Sequence, residues 1–197
     1  PGGAPTEERF LGRYSIEGSR PGASAAATWL SHKVIPLHEE GYGHLVERTM
    51  VGAHRLHRAL GAADLAGCRA AMLPPPDINI VNFTVRAPGH RTLAEVNAFN
   101  EALYARLSQS PGGPAPSYFV TRTRLTSPTY DGAIAPHLEA LGVGSVAEWR
   151  AAGKEGVVLL RMTVMDPWLD GTGTAPDHVA GFIRHLTELC AALAPRG

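Results

Sequence analysis

Lysine is nearly missing: Lys33 and Lys154 are the two present in 197 residues. The 18 basic and 18 acidic residues cancel to a formal charge of zero, and no arginine run makes up for the missing lysines. A chain without a basic stripe cannot follow a phosphate backbone, so nucleic acid is not an expected partner. Cysteine is equally scarce. Cys68 and Cys190 lie far apart and lack metal-ligand spacing, which fits buried or idle thiols in a reducing compartment and no disulfide. No apolar run approaches the ~18 residues of a membrane span, and the Pro-Gly-Gly-Ala-Pro opening has neither the charged nor the apolar region of a secretory signal. A cytoplasmic chain with no membrane partner is therefore expected. Catalytic triads, glycine-rich nucleotide loops and zinc clusters are absent as well. His54 and His57 stand three apart on a helix, but without a third ligand at a defined spacing they read as surface residues, and no metal site is expected. The first residue is proline, so a processed, nicked or separately encoded piece is expected.

A chain of this length buries roughly 70% of its unfolded surface, enough for one compact domain with an extension. Residues 1–14 read as a loose arm. Ala23–Ile35 reads as a helix stopped by Pro36, which lacks an N–H and disfavours helix in its predecessor. A second helix is expected from Glu39 or Gly41 to Leu60, with Leu45, Met50, Val51, Leu56 and Leu60 near helical period. Strands then alternate with helices. Strands are expected over Ile78–Val85, Tyr118–Leu125 and Val157–Met165, and helices over Thr92–Leu107, Ile134–Leu141, Val146–Ala152 and Ala175–Leu193. Thr92 with Glu95 three residues on is a capping box. The expected architecture is α/β: residues 1–65 as arm and linking helices, and residues 66–197 as a small, mainly antiparallel sheet with helices on one face.

Two places carry chemistry. The turn Gly18-Ser19-Arg20-Pro21-Gly22 offers a hydroxyl, a guanidinium and exposed backbone N–H groups at a helix start, a setting suited to a phosphate. Ser19 there could equally be a simple helix N-cap. Arg161 stands within Val157-Val-Leu-Leu-Arg-Met-Thr-Val-Met165, where a lone guanidinium is costly unless it meets an anion. A carboxylate matches its planar fork. That acid could be a ligand, or an internal Asp166 or Asp170. Thr163 projects from the same strand face as Arg161 and could border a ligand side chain or merely pack. Trp168, in the turn that ends the strand, could cover the site or the core, and His32 and His38 are left unassigned.

The run Glu17-Gly-Ser-Arg-Pro-Gly-Ala23 followed by Trp29 and Glu40-Gly-Tyr42, the stretch Pro76-Asp-Ile-Asn-Ile-Val81, and Gly153-Lys154 through Leu160-Arg161 to Asp166-Pro-Trp168 occur in one order. Together they resemble the pyridoxal-phosphate-dependent amino-acid decarboxylases of group II, the glutamate and aromatic amino-acid decarboxylase superfamily, and most of all its bacterial tyrosine decarboxylase branch. The resemblance implies linking helices and the C-terminal small domain of a fold-type-I enzyme, with pyridoxal 5'-phosphate as cofactor. It implies that Arg161 holds the substrate carboxylate with Thr163 nearby, and that Ser19, Gly18 and Arg20 reach the cofactor phosphate of a neighbouring subunit in a dimer with shared sites.

The family's Schiff-base lysine precedes the Gly-Ser-Arg turn, on a large domain, and no such region is present here. Lys33 follows His32 but falls inside the helix after the turn, so it reads as a solvated side chain. No catalytic residue is therefore expected in this chain. A partner chain or fragment carrying that lysine is implied, and an aromatic amino acid is the implied substrate. Two alternatives stay open: another outcome on the same scaffold, such as decarboxylation coupled to oxidative deamination, or a non-catalytic binding or regulatory module.

Overall fold

The computed structural model describes residues 22–108, 116–169, 171 and 176–194. The chain divides into two compact units, Pro1–His44 and Leu45–Gly197. In the first, the alanine-rich helix α1 (Gly22–Val34) ends just before Pro36, and the hydroxyls of Thr28 and Ser31 donate to carbonyls four residues back. No residue of α1 is buried, and Trp29, Leu30 and Val34 are 63%, 57% and 71% exposed. A π-helical turn, Glu39–Gly43, follows; His38 Nδ1 accepts the Glu40 N–H at 3.2 Å at its start. The turn leads into α2 (His44–Ala62).

In the second unit four antiparallel strands lie in the order β1-β2-β4-β3: β1 Arg69–Met72, β2 Ile80–Arg86, β3 Thr121–Leu125 and β4 Val157–Thr163. Helices α2, α3 (Leu93–Leu107) and α6 (His178–Leu193) cover one face. There Val81, Phe83, Val85 and Leu160 share a core with Leu56, Leu103 and Phe182. Alternation along β4 sends Val157 and Leu159 to the other face, where α4 (Ile134–Leu141) and α5 (Val146–Ala152) add Ile134, Leu138 and Trp149. The Trp149 indole is fully buried and donates to the Leu125 carbonyl at 2.9 Å, fastening α5 to β3. Both cores are needed because Val157–Leu160 is buried on both sides of the sheet. The expected capping box at the start of α3 is formed, with the Thr92 hydroxyl accepting the Glu95 N–H and the Glu95 carboxylate accepting the Thr92 N–H.

The β2–β4 ladder runs from Ile80↔Thr163 to Phe83↔Leu160 and then opens. Two asparagines of α3 take the bonds it gives up. The Val85 N–H donates to Asn100 Oδ1 at 2.8 Å, and Asn100 Nδ2 donates to the Val85 carbonyl at 2.7 Å and the Val96 carbonyl at 2.8 Å. The Val158 N–H donates to Asn97 Oδ1, and Asn97 Nδ2 donates to the Gly156 carbonyl, both at 2.9 Å. Gly156 sits at φ +48°, and a Cβ there would collide with the Leu125 carbonyl, so the entry to β4 requires glycine. The Val158 carbonyl accepts the Thr84 hydroxyl at 2.9 Å.

Because the Thr84 hydroxyl spends its proton on Val158, its oxygen accepts from His137 Nε2 at 3.1 Å. His137 therefore carries a proton on Nε2, and its buried Nδ1 has no hydrogen-bond partner. Burial pushes its pKa down to about 4, against a weaker opposing pull from the Met72 backbone.

Two predictions follow from this core. Replacing Asn100 by leucine strands the buried Val85 N–H and carbonyl, and should cost on the order of 3 kcal/mol or more in urea unfolding; a loss well under 1 kcal/mol would remove its role as ladder substitute. An unfolded His137 takes up its proton near pH ~6.5, well above the folded one. Its contribution is thus complete above that pH and lost as pH falls through about 4, amounting to roughly 3 kcal/mol. Denaturation measured across this window should show the loss, and His137→Leu should flatten it.

Candidate functional site

Arg161 occupies the place where β4 leaves its core. Burial along the strand runs from full at Val157–Leu160 through half at Arg161 and Met162 to exposed at Thr163. Arg161 shares the face of Val157 and Leu159, one step beyond the cover of α4 and α5. Its two cross-strand partners are polar: Thr121 on β3 and Asn82 on β2. A polar row Thr121–Arg161–Asn82 thus crosses three strands of the sheet.

Thr121 fastens one edge of the guanidinium. Arg161 Nε donates to Thr121 Oγ1 at 3.0 Å, and the Thr121 hydroxyl donates to the Arg161 carbonyl at 3.2 Å. Among the described residues no carboxylate lies within ion-pair distance of Arg161. Three other arginines of this unit are committed. Arg124 meets Glu101 and Glu155, Arg55 meets Asp177, and Arg86 donates to the carbonyls of Leu141, Gly142 and His90. Of the two internal acids that could have met Arg161, Asp166 instead accepts the Trp168 N–H at 2.8 Å, and Asp170 lies outside the described residues. A half-buried guanidinium with its outer N–H groups unspent can take a carboxylate in two parallel bonds.

The rim is apolar. The Val164 N–H donates to the Asn79 carbonyl at 2.8 Å and Asn79 Nδ2 donates to the Val164 carbonyl at 2.7 Å, so β2 and β4 stay together past Thr163. Ile78 and Met165, which flank that pair, are 54% and 77% exposed, and Phe119, two residues before Thr121, is 57% exposed. Thr163 is exposed on the Arg161 face, paired with Ile80. The Asp166–Trp168 turn is held against α2 by Arg48 Nε, which donates to the Pro167 carbonyl at 2.8 Å, and Trp168 remains half exposed.

The remaining sequence candidates fall elsewhere. Gly18, Ser19 and Arg20 lie outside the described residues. Lys33 is exposed on α1 with its ammonium over the Trp29 ring, and Lys154 is exposed in the turn after α5. His32 packs edge-on against Tyr42, and His57 Nε2 is 2.8 Å from the Leu73 carbonyl. Cys68 and Cys190 are buried, unbridged and pushed up in pKa by burial. A cleft of about 790 Å³ at the opposite end of β1 and β2, lined in part by Asp64, Arg69 and Arg86, contains no uncommitted buried charge. Sequence reading passed over Thr121 and Asn82. The available signal was a polar residue in each neighbouring strand, but its meaning depends on the register.

The family described as tyrosine decarboxylase, C-terminal, matches residues 59–188. An L-tyrosine decarboxylase of Levilactobacillus brevis is 36% identical over 166 residues, which is 82% of this chain and 26% of that protein. One from Enterococcus faecalis is 32% identical over a stretch of the same length. The chain thus spans about a quarter of the length of these relatives.

Thr121→Val removes the oxygen that orients the guanidinium. It should cost about 1 kcal/mol of stability and release the Arg161 Nε–H to faster exchange with water, read by NMR. An unchanged exchange rate would dissociate Thr121 from the geometry of Arg161.

Proposed function

The chain belongs to the tyrosine decarboxylase C-terminal family, and on that premise we propose that it is the substrate-carboxylate-binding portion of a pyridoxal-phosphate-dependent L-amino-acid decarboxylase. The observation that carries the reading is the half-buried Arg161, anchored on Thr121 and without an acid partner among the described residues. A carboxylate arriving from outside completes it. The exposed Ile78, Phe119 and Met165 at the same end of the sheet suit an amino acid with an aromatic side chain. Thr163, on the same face, is the residue of this chain proposed to border that side chain.

The described residues fit the acid end of such a substrate and not the aldehyde end of the cofactor. Both lysines are exposed, so the amine proposed to hold the cofactor comes from another part of the protein. Ser19, with Gly18 and Arg20, is the proposed contact for the cofactor phosphate, on the strength of its residue types and of the family resemblance. When bound, the cofactor supplies the electron sink that lets carbon dioxide leave the α-carbon. The work of Arg161 is to bind and orient the departing carboxylate, and that of the apolar rim is to keep water from it. Carbon dioxide and an amine are the products.

The helix α1 supports a partner. A 13-residue helix with no buried residue is marginal by itself. Its exposed Trp29, Leu30 and Val34 are proposed to pack on the large domain that carries the lysine, as part of a linking segment spanning residues 1–65. A dimer with shared sites, in a reducing cytoplasm that leaves Cys68 and Cys190 unpaired, completes the proposal.

Arg161→Met in the assembled protein should retain the visible absorbance of the cofactor and raise KM on the order of 10- to 100-fold, the value of a lost hydrogen bond to a charged group. An unchanged KM would end this assignment.

A further inference from the structure

Asn82 and Arg161 are unsatisfied in complementary ways. The Asn82 side-chain oxygen is buried and accepts no hydrogen bond, while Arg161 has spent only Nε, on Thr121. They face each other directly in the β2–β4 register. The Val164 N–H to Asn79 carbonyl bond makes Asn79 and Val164 a hydrogen-bonded pair. Alternation then makes Val81/Met162 and Phe83/Leu160 bonded pairs, and Ile80/Thr163 and Asn82/Arg161 non-bonded ones. Cα atoms of such pairs stand about 4.5 Å apart, and their side chains approach most closely. An acceptor short of a donor therefore lies across from donors short of an acceptor.

We propose that Asn82 is a positioning residue for Arg161: its carboxamide oxygen accepts an Nη–H once a carboxylate is bound, so that Thr121 and Asn82 hold the guanidinium from the two neighbouring strands. Of the five N–H groups of an arginine, one is on Thr121, two form the fork to the anion, and one of the remaining two is given to Asn82. The plane of the fork is then held from both neighbouring strands while the carboxylate is bound, and the added bond strengthens the bound state. This inference rests on the carboxylate role of Arg161.

The test uses the assembled protein with Asn82→Leu, Asn82→Ser and Arg161→Met. Binding of 3-(4-hydroxyphenyl)propanoate, an aromatic carboxylate with no amino group, is measured by calorimetry beside tyramine, which has no carboxylate. Asn82→Leu and Asn82→Ser should weaken the carboxylate about tenfold, leave tyramine unchanged, and raise substrate KM with kcat little altered. Removing an unpartnered buried acceptor should leave the ligand-free melting temperature of Asn82→Leu equal to or above that of the parent, an outcome a merely structural asparagine does not produce. In the double variant with Arg161→Met, the Asn82 effect should vanish. If Arg161→Met weakens carboxylate binding and both Asn82 variants bind like the parent, the inference falls and the Arg161 reading stands. If Arg161→Met itself binds like the parent, both fall. Should Asn82→Leu fail to fold, the carboxylate-to-tyramine ratio of Asn82→Ser decides alone.

Discussion

The opening of the ladder between β2 and β4 is the constraint on which this domain depends. Past Phe83 and Leu160 the two central strands no longer pair backbone to backbone, and the Val85 N–H and carbonyl and the Val158 N–H would be left buried and unpaired. Asn97 and Asn100 of α3 satisfy them. A backbone amide and a side-chain amide are chemically alike, so the exchange conserves hydrogen bonds. It also fixes α3 against both strands at once. One end of the sheet is thereby opened around a helix, and the other stays tightly paired.

The candidate site lies at the paired end. There the register sets Thr121, Arg161 and Asn82 side by side, and α4 and α5 have already left the face. Two cores squeeze Val157–Leu160 dry, and the next residue of the strand is a guanidinium. A charge at the margin of a dry core has lost some of its water without gaining an acid, so a carboxylate from elsewhere is the least costly way to complete it. The buried histidine follows a different logic. His137 is deep in the core, so it stays neutral and serves as a donor to Thr84.

The chain spans about a quarter of the length of its relatives, and two of its surfaces are apolar and exposed. The wholly uncovered α1 and the apolar rim of Ile78, Phe119 and Met165 are of this kind. The first is proposed to serve cohesion with a large domain, the second recognition of a substrate. The guanidinium of Arg161, half-buried and without an acid partner among the described residues, is the feature that sets the second surface apart from the first.

Much of this was legible in the residues. Pro36 announced the end of α1, Thr92 and Glu95 the start of α3, and the apolar run around Arg161 marked both a central strand and the one residue in it that needed an explanation. These are local signals, since a cap, a breaker and a run act within one turn or one strand. The strand Arg69–Met72 was not legible, because Arg-Ala-Ala-Met has no β preference of its own and is extended only by pairing with β2. The turn at Gly18–Arg20 lies outside the described residues. Composition and pattern determined that an arginine sits in a buried strand, and hence that an anion is wanted. Only the tertiary structure decided that Thr121 holds it, that Asp166 does not, and that Asn82 stands opposite. Those neighbours come from strands some 40 and 80 residues away, and register, a property of paired chains, cannot be read from any one of them.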